Sequence, residues 1–187
     1  MSLGGVAPKL SRASCQRPGT AHAAPIAEAI PEYETALAVN RNCVAALYGL
    51  GQCKLFTGSI GETIPLLERA MRLSPHEPRV GVWSHQIGQV HLLQSRTEES
   101  ITWLERARND SPASPSSHAW LAAAYALSGD IDRATAELAE ARRLSADDRF
   151  SSLARLKVIG YFGVPKIRAL FEATYFAGLR LAGMPEE

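Results

Sequence analysis

Long apolar runs are missing from this 187-residue chain. No stretch approaches the roughly 18 consecutive apolar residues that a membrane-spanning helix needs. Charge of one sign is missing as well. Twenty Lys and Arg face nineteen Asp and Glu, a formal net charge of +1, so bulk charge leaves no nucleic-acid footprint. Cysteine is scarce and odd in number: Cys15, Cys43 and Cys53, with no C-x-x-C pair. That count argues against a disulfide framework and against a zinc site. Cys43 and Cys53 fall at opposite ends of one expected helix, roughly 15 Å apart at 1.5 Å per residue, too far to bridge. Three free thiols suit a reducing compartment, and the expected location is cytoplasmic.

Signatures of chemistry are absent too. The histidines are His22, His76, His85, His91 and His118, and they form neither H-E-x-x-H nor an i, i+4 pair. No G-x-S-x-G elbow marks a nucleophile. Gly49-x-Gly51 falls inside a helix, whereas a phosphate-binding loop lies between a strand and a helix. Glu98-Glu99, Glu137 with Glu140, and Asp147-Asp148 read as solvated helix faces and caps. Arg106-x-Arg108 and Arg142-Arg143 sit near helix ends, where cations complement the dipole. Trp83, Trp103 and Trp120 read as core or seam residues. The expectation is a chain with no catalytic residue, no metal ligand set and no cofactor.

What the chain does contain is a repeat. Val44 to Pro75 reads as two helices joined at Thr57-Gly58-Ser59. The first carries Leu47, Leu50 and Gly51; the second carries Thr63, Leu67 and Ala70. Small residues at Gly51 and Ala70 let two helix backbones approach, and the leucines fill the space beside them. The same places recur along the chain. Ala29, Tyr33 and Ala36 precede Thr63, Leu67 and Ala70 by 34 residues; Ser100, Leu104 and Ala107 follow by 37; Ala134, Leu138 and Ala141 follow by a further 34. In the first helices, Ile87 and Gly88, then Leu121 and Ala122, take the places of Leu50 and Gly51. This pattern resembles the tetratricopeptide repeat, a helix-turn-helix unit of 34 residues. The resemblance implies an all-α solenoid, with antiparallel helix pairs wound into a right-handed superhelix.

The array is expected over residues 26–146, as half a repeat followed by three repeats. Residues 1–25 hold three basic residues, no acidic ones and scattered Gly, Ser and Pro, and read as a disordered leader. The first helix of the half repeat should lie within residues 10–27, where the required spacing is lacking. That leaves one apolar helix face open and makes self-association through it a possible partner contact. Ser59 with Glu62, and Ser95 with Glu98, have capping-box spacing. Pro31 and Pro65 occupy one repeat position, which predicts a late helix start or a bend near both. Beyond Asp148 the repeat fades. Residues 147–187 are expected to form C-terminal capping helices: a short one capped by Ser151 or Ser152, a break at Gly160 to Gly163, then a helix opened by Pro165. Its apolar face is Ile167, Leu170, Phe171, Thr174, Tyr175, Gly178, Leu179 and Ala182, ended by Gly183 and Pro185. Solenoids require such caps at open ends.

The first helices of such an array line its inner face. The groove positions here are Tyr48, Gln52, Leu55 and Phe56, then His85, Gln89 and Leu92, then Ala119, Ala123 and Leu127. An extended peptide or a helix can lie there, its backbone bonded by amides and its side chains packed on aromatics. The carboxylate clamp of some repeat-family members needs Lys, Arg and Asn, whereas these positions hold Gln52, His85, Gln89, Ala119 and Ala123. A narrower likeness is carried by Ala29-Ile30-Pro31-Glu32-Tyr33, Thr63-Ile64-Pro65-Leu66-Leu67 and Gly178-Leu179-Arg180-Leu181-Ala182-Gly183-Met184-Pro185. Together these resemble the C-terminal repeat region of bacterial class III adenylate/guanylate cyclases. In those proteins an upstream domain uses two metal-binding aspartates to cyclise a nucleoside triphosphate. This chain lacks that domain, so no cyclase residue carries over. The resulting expectations are a noncatalytic protein-binding scaffold, an accessory part of a cyclase on another chain, or a truncated product that self-associates.

Overall fold

The computed structural model describes residues 23–77, 80–160 and 162–187. Among them there is no β-strand. The helices are α1 (Ala23–Val39), α2 (Val44–Thr57), α3 (Thr63–Leu73), α4 (Val80–Leu93), α5 (Thr97–Asp110), α6 (Pro115–Leu127), α7 (Ile131–Leu144), α8 (Leu153–Ile159), α9 (Pro165–Phe171) and α10 (Ala177–Leu181). The hairpins α2–α3, α4–α5 and α6–α7 stack in chain order, with α1 packed on α2. The all-α repeat architecture expected from the spacing is the one observed. The expected first helix of the half repeat falls largely on residues 10–22, outside the described residues.

Turn chemistry sets several element ends. Gly58 adopts φ 104°, the left-handed conformation that closes a helix without a Cβ penalty. Ser114 caps α6, whose first residue is Pro115, and the Asp130 carboxylate accepts from the backbone N–H of Arg133 to cap α7. Neither expected capping box forms. Ser59 opens a short 3-10 turn at Ile60–Glu62 with no side-chain cap, and α5 follows Arg96 because Ser95 takes φ 60°. That 3-10 turn delays α3 to Thr63, placing Pro65 in the first helical turn, where its missing N–H costs nothing. By contrast, α1 begins at Ala23 and continues through Pro31.

One contact repeats in the α2–α3 and α4–α5 hairpins. Thr63 Oγ1 donates to the carbonyl of Gly51 at 3.2 Å, and Ser100 Oγ to that of Gly88 at 2.9 Å. Both hydroxyls are fully buried and so need that acceptor. At Gly88 the missing Cβ is what admits Leu104 of the second helix, while at Gly51 a Cβ would make an ordinary contact with Leu67. Another glycine has a different reason: a Cβ at Gly49 would lie 2.4 Å from the Tyr33 ring, so Gly49 admits the α1 aromatic against α2.

Glu137 departs from the sequence expectation of a solvated face shared with Glu140. Its side chain is 12% exposed and accepts from Arg108 Nη1 at 2.5 Å, with His118 Nδ1 also at 2.5 Å. His118 Nε2 lies 2.9 Å from the Pro112 carbonyl. The group ties α5, the α5–α6 connection, α6 and α7 into one polar seam. Spacing along α7 alone cannot show it, because its partners come from other helices.

Candidate ligand-binding face

Helices α2, α4 and α6 stand side by side and form the inner face. The expected groove residues lie on it in two bands. Leu55, Leu92, Ala119 and Ala123 are buried, whereas Tyr48, Gln52, Phe56, His85, Gln89 and Leu127 are half-buried. The buried band is covered by the chain's own C-terminus. Residues 165–181 run as one helical rod from the C-terminal end of α2, past α4, onto the middle of α6. At one end the Val164 N–H donates to the Phe56 carbonyl at 3.0 Å. Near the other, Gly178 meets α6 so closely that a Cβ would fall 2.4 Å from the Ala123 carbonyl oxygen. The segment expected to cap the end of the stack thus also crosses its inner face. Only α8 stays with the end, where its first two N–H groups donate to the carbonyls of Pro185 and Glu186 at 2.9 Å each.

The rod contains a π turn over Glu172–Phe176. Thr174, Tyr175 and Phe176 are all buried. Tyr175 faces Trp120, whereas Phe176 is covered by Phe162 from the α8–α9 connection, which is why Phe176 is absent from the apolar face read at helical spacing. The residues now adjacent are Trp120 of α6 and an aromatic cluster of the rod. Trp120 meets Phe171 edge-on at 5.6 Å, and Phe162 meets Phe171 and Phe176 edge-on at 4.9 and 5.0 Å. Such geometries favour the ring quadrupoles beyond simple burial. Sequence did hold one clue to this close approach: a glycine, Gly178, in the middle of an otherwise apolar face.

Between the two bands sits His85. Gln89 Nε2 is 3.0 Å from its Nε2, Ser117 Oγ is 3.3 Å from its Nδ1, and the Trp120 ring meets it edge-on at 6.2 Å. Ser117 in turn donates to Ser114 Oγ at 3.1 Å, so it accepts from an Nδ1–H, and Nε2 accepts from the Gln89 amide. A neutral ring satisfies every contact. Loss of solvation pushes its pKa down from 6.5 to about 4, in agreement with that network. The open band beside it offers Tyr48, Gln52 and Gln89, hydrogen-bonding groups with no net charge. No group of three or more His, Cys, Asp or Glu that could hold a metal occurs among the described residues, and none of their helices is long and apolar enough to cross a membrane.

Residues 26–78 match the family model of the tetratricopeptide repeat. No curated protein matches the chain in sequence. Several solved structures share its fold. A MamA fragment from Desulfovibrio magneticus RS-1 is 15% identical with a TM-score of 0.61, over 85% of this chain and 86% of that one. TTC0263, a thermophilic TPR protein of Thermus thermophilus, is 21% identical with a TM-score of 0.59, over 83% and 91%. YrrB, described as a TPR protein with an unusual peptide-binding site, is 16% identical with a TM-score of 0.56, over 84% and 73%. At these identities the likeness shows the fold.

Proposed function

We propose that this tetratricopeptide-repeat array is a noncatalytic scaffold that holds a segment of a partner protein on its inner face. The observation that carries the reading is the convergence of α2, α4 and α6 on one surface. Half of it is apolar and the other half is lined with uncharged hydrogen-bonding groups: Tyr48, Gln52, His85 and Gln89. An apolar floor beside an amide-lined rim suits a bound segment with one apolar side and one polar side. The absence of Lys and Arg from these positions points away from an acidic terminus as the ligand. The test is a pull-down with wild type and a Tyr48→Ala, His85→Ala, Gln89→Ala variant of matched thermal stability. Selective loss of a bound protein from the variant supports the reading; equal recovery of every partner removes it.

A finer reading makes the partner a nucleotide cyclase, with this chain as a regulatory or assembly module. Its support is the resemblance carried by Ala29–Tyr33, Thr63–Leu67 and Gly178–Pro185. The last of these stretches is docked on α6 and on the N-terminus of α8. Mixing the chain with a class III cyclase catalytic domain and measuring cyclic nucleotide formation tests it. A rate unchanged by saturating amounts of the chain ends this reading and leaves the scaffold reading in place.

A further inference from the structure

The rod over residues 165–181 is amphipathic, and it sits on the array almost entirely through apolar contact. Ile167, Phe171, Tyr175, Phe176 and Leu179 are buried; Lys166, Arg168, Glu172 and Arg180 are exposed. At its start the Val164 N–H donates to the Phe56 carbonyl of α2, and further along, the rod meets α6 through Phe171, Tyr175 and Gly178. The ion pairs of the rod stay within the C-terminal region: Lys157 with Glu172 at 2.6 Å, and Arg180 with Glu186. An integral solenoid helix is fastened differently, through paired packing in a hairpin and hydroxyl-to-carbonyl bonds such as Ser100 to Gly88. The geometry of the rod is that of a helix lying in a groove.

The floor beneath it is specific. Ala119 and Ala123 extend no further than Cβ, leaving a shallow lane on α6, and Trp120 beside them forms a flat platform. A helix fits that lane only if it carries an aromatic over Trp120 and a glycine over Ala123, where any Cβ would strike the backbone. Tyr175 and Gly178 meet both conditions. The fastenings at the two ends are slight. On one side are the non-helical residues 162–164, with Gly163 at φ 81°; on the other are the two carbonyls of Pro185 and Glu186 on α8.

We propose that residues 165–184 are an intramolecular ligand of the inner face, and that the partner it excludes is an amphipathic helix with the same pattern, an aromatic followed three residues later by glycine. This rests on the reading of the inner face as the ligand site, and it names both the ligand class and its competitor. The partner binds at the expense of the resident helix, so its apparent affinity is its intrinsic affinity multiplied by the fraction of chains in which the lane is open.

The probe is a fluorescein-labelled peptide of residues 162–187, titrated into the full chain and followed by anisotropy. Gly178→Leu drives a side chain into the Ala123 backbone and lifts the resident helix while leaving α6 untouched. Expected are weak binding to wild type, binding about tenfold tighter or better to Gly178→Leu, and loss of that gain when Trp120→Ala is added. Phe171→Ser with Tyr175→Ser releases the helix from its own side and should give the same gain. Hydrogen exchange supplies the second readout: amides of residues 171–181 should exchange faster than those of α4 and α6 in wild type. Exchange of residues 171–181 only together with α6, or unfolding of the array in both release variants, marks an integral core helix and overturns the proposal. Equal peptide binding by wild type and variants overturns the competition while leaving the scaffold reading intact. A released helix with no peptide binding removes both.

Discussion

The ring of Tyr175 lies over that of Trp120, centroids 4.0 Å apart and planes 15° from parallel. This pair joins residues 55 positions apart in the chain and fixes the rod to α6. Trp120 also meets His85 and Phe171 edge-on, so its indole links the open band of the inner face to the covered one. Trp120→Ala is therefore expected to cost ~3–5 kcal/mol of stability, in the range of large aromatic truncations. Tyr175→Phe, which preserves the stack, should cost under ~1.5 kcal/mol. Urea unfolding midpoints at constant m-value measure both.

Two glycines at one repeat position should respond oppositely to alanine. A Cβ at Gly51 would lie 3.5 Å from the nearest Leu67 atom, an ordinary contact, while at Gly88 it would lie 2.6 Å from Leu104 Cγ. Gly51→Ala gains helix propensity without a clash and should stabilise by ~0.5–1 kcal/mol. Gly88→Ala should destabilise by ~1–3 kcal/mol through overpacking. Thermal unfolding of the two variants side by side checks the opposite signs.

The polar seam at Glu137 separates buried from surface electrostatics. Glu137→Gln leaves Arg108 and His118 without their shared carboxylate in a half-buried site and should cost ~1–3 kcal/mol. Glu140→Gln removes only the surface pair with Arg143 and should leave the midpoint unchanged. Chemical denaturation of both variants distinguishes the two settings.

Acidification should weaken the fold through its buried imidazoles. The His85 pKa is lowered from 6.5 to about 4 by loss of solvation. His91 is lowered in the same sense, by burial first and by Arg96 second, with Glu99 and Glu68 opposing. Below pH 6.5 the unfolded chain takes up a proton at His85 that the native state refuses until about pH 4. Stability from this group is therefore present above pH 6.5 and is lost as pH falls toward 4. His85→Leu should flatten the fall in melting temperature across that window, with His91 contributing the residual slope. An unchanged slope in the variant would show that His85 does not control it.

Much of the architecture was legible from spacing. The recurrence at 34, 37 and 34 residues places Gly51 and Gly88, and Leu67 and Leu104, at equivalent positions of successive hairpins, while the bonds from Thr63 and Ser100 to the glycine carbonyls appear only in the structure. Ser59 and Ser95 show the limit of local patterns: both had a capping-box glutamate in place, yet a 3-10 turn and a positive φ took those positions instead. The groove residues could be named from repeat register, but which of them are covered could not. Nothing in the spacing of residues 165–181 says that Leu55, Leu92, Ala119 and Ala123 lie beneath them.

By itself the sequence determined that this is an array of helical hairpins, because hairpin packing is decided by residues within one repeat of each other. The tertiary structure decided where the C-terminal helix lies and what it covers. That placement depends on one aromatic stack and one glycine against a distant backbone, contacts between segments too far apart in the chain for any local period to encode.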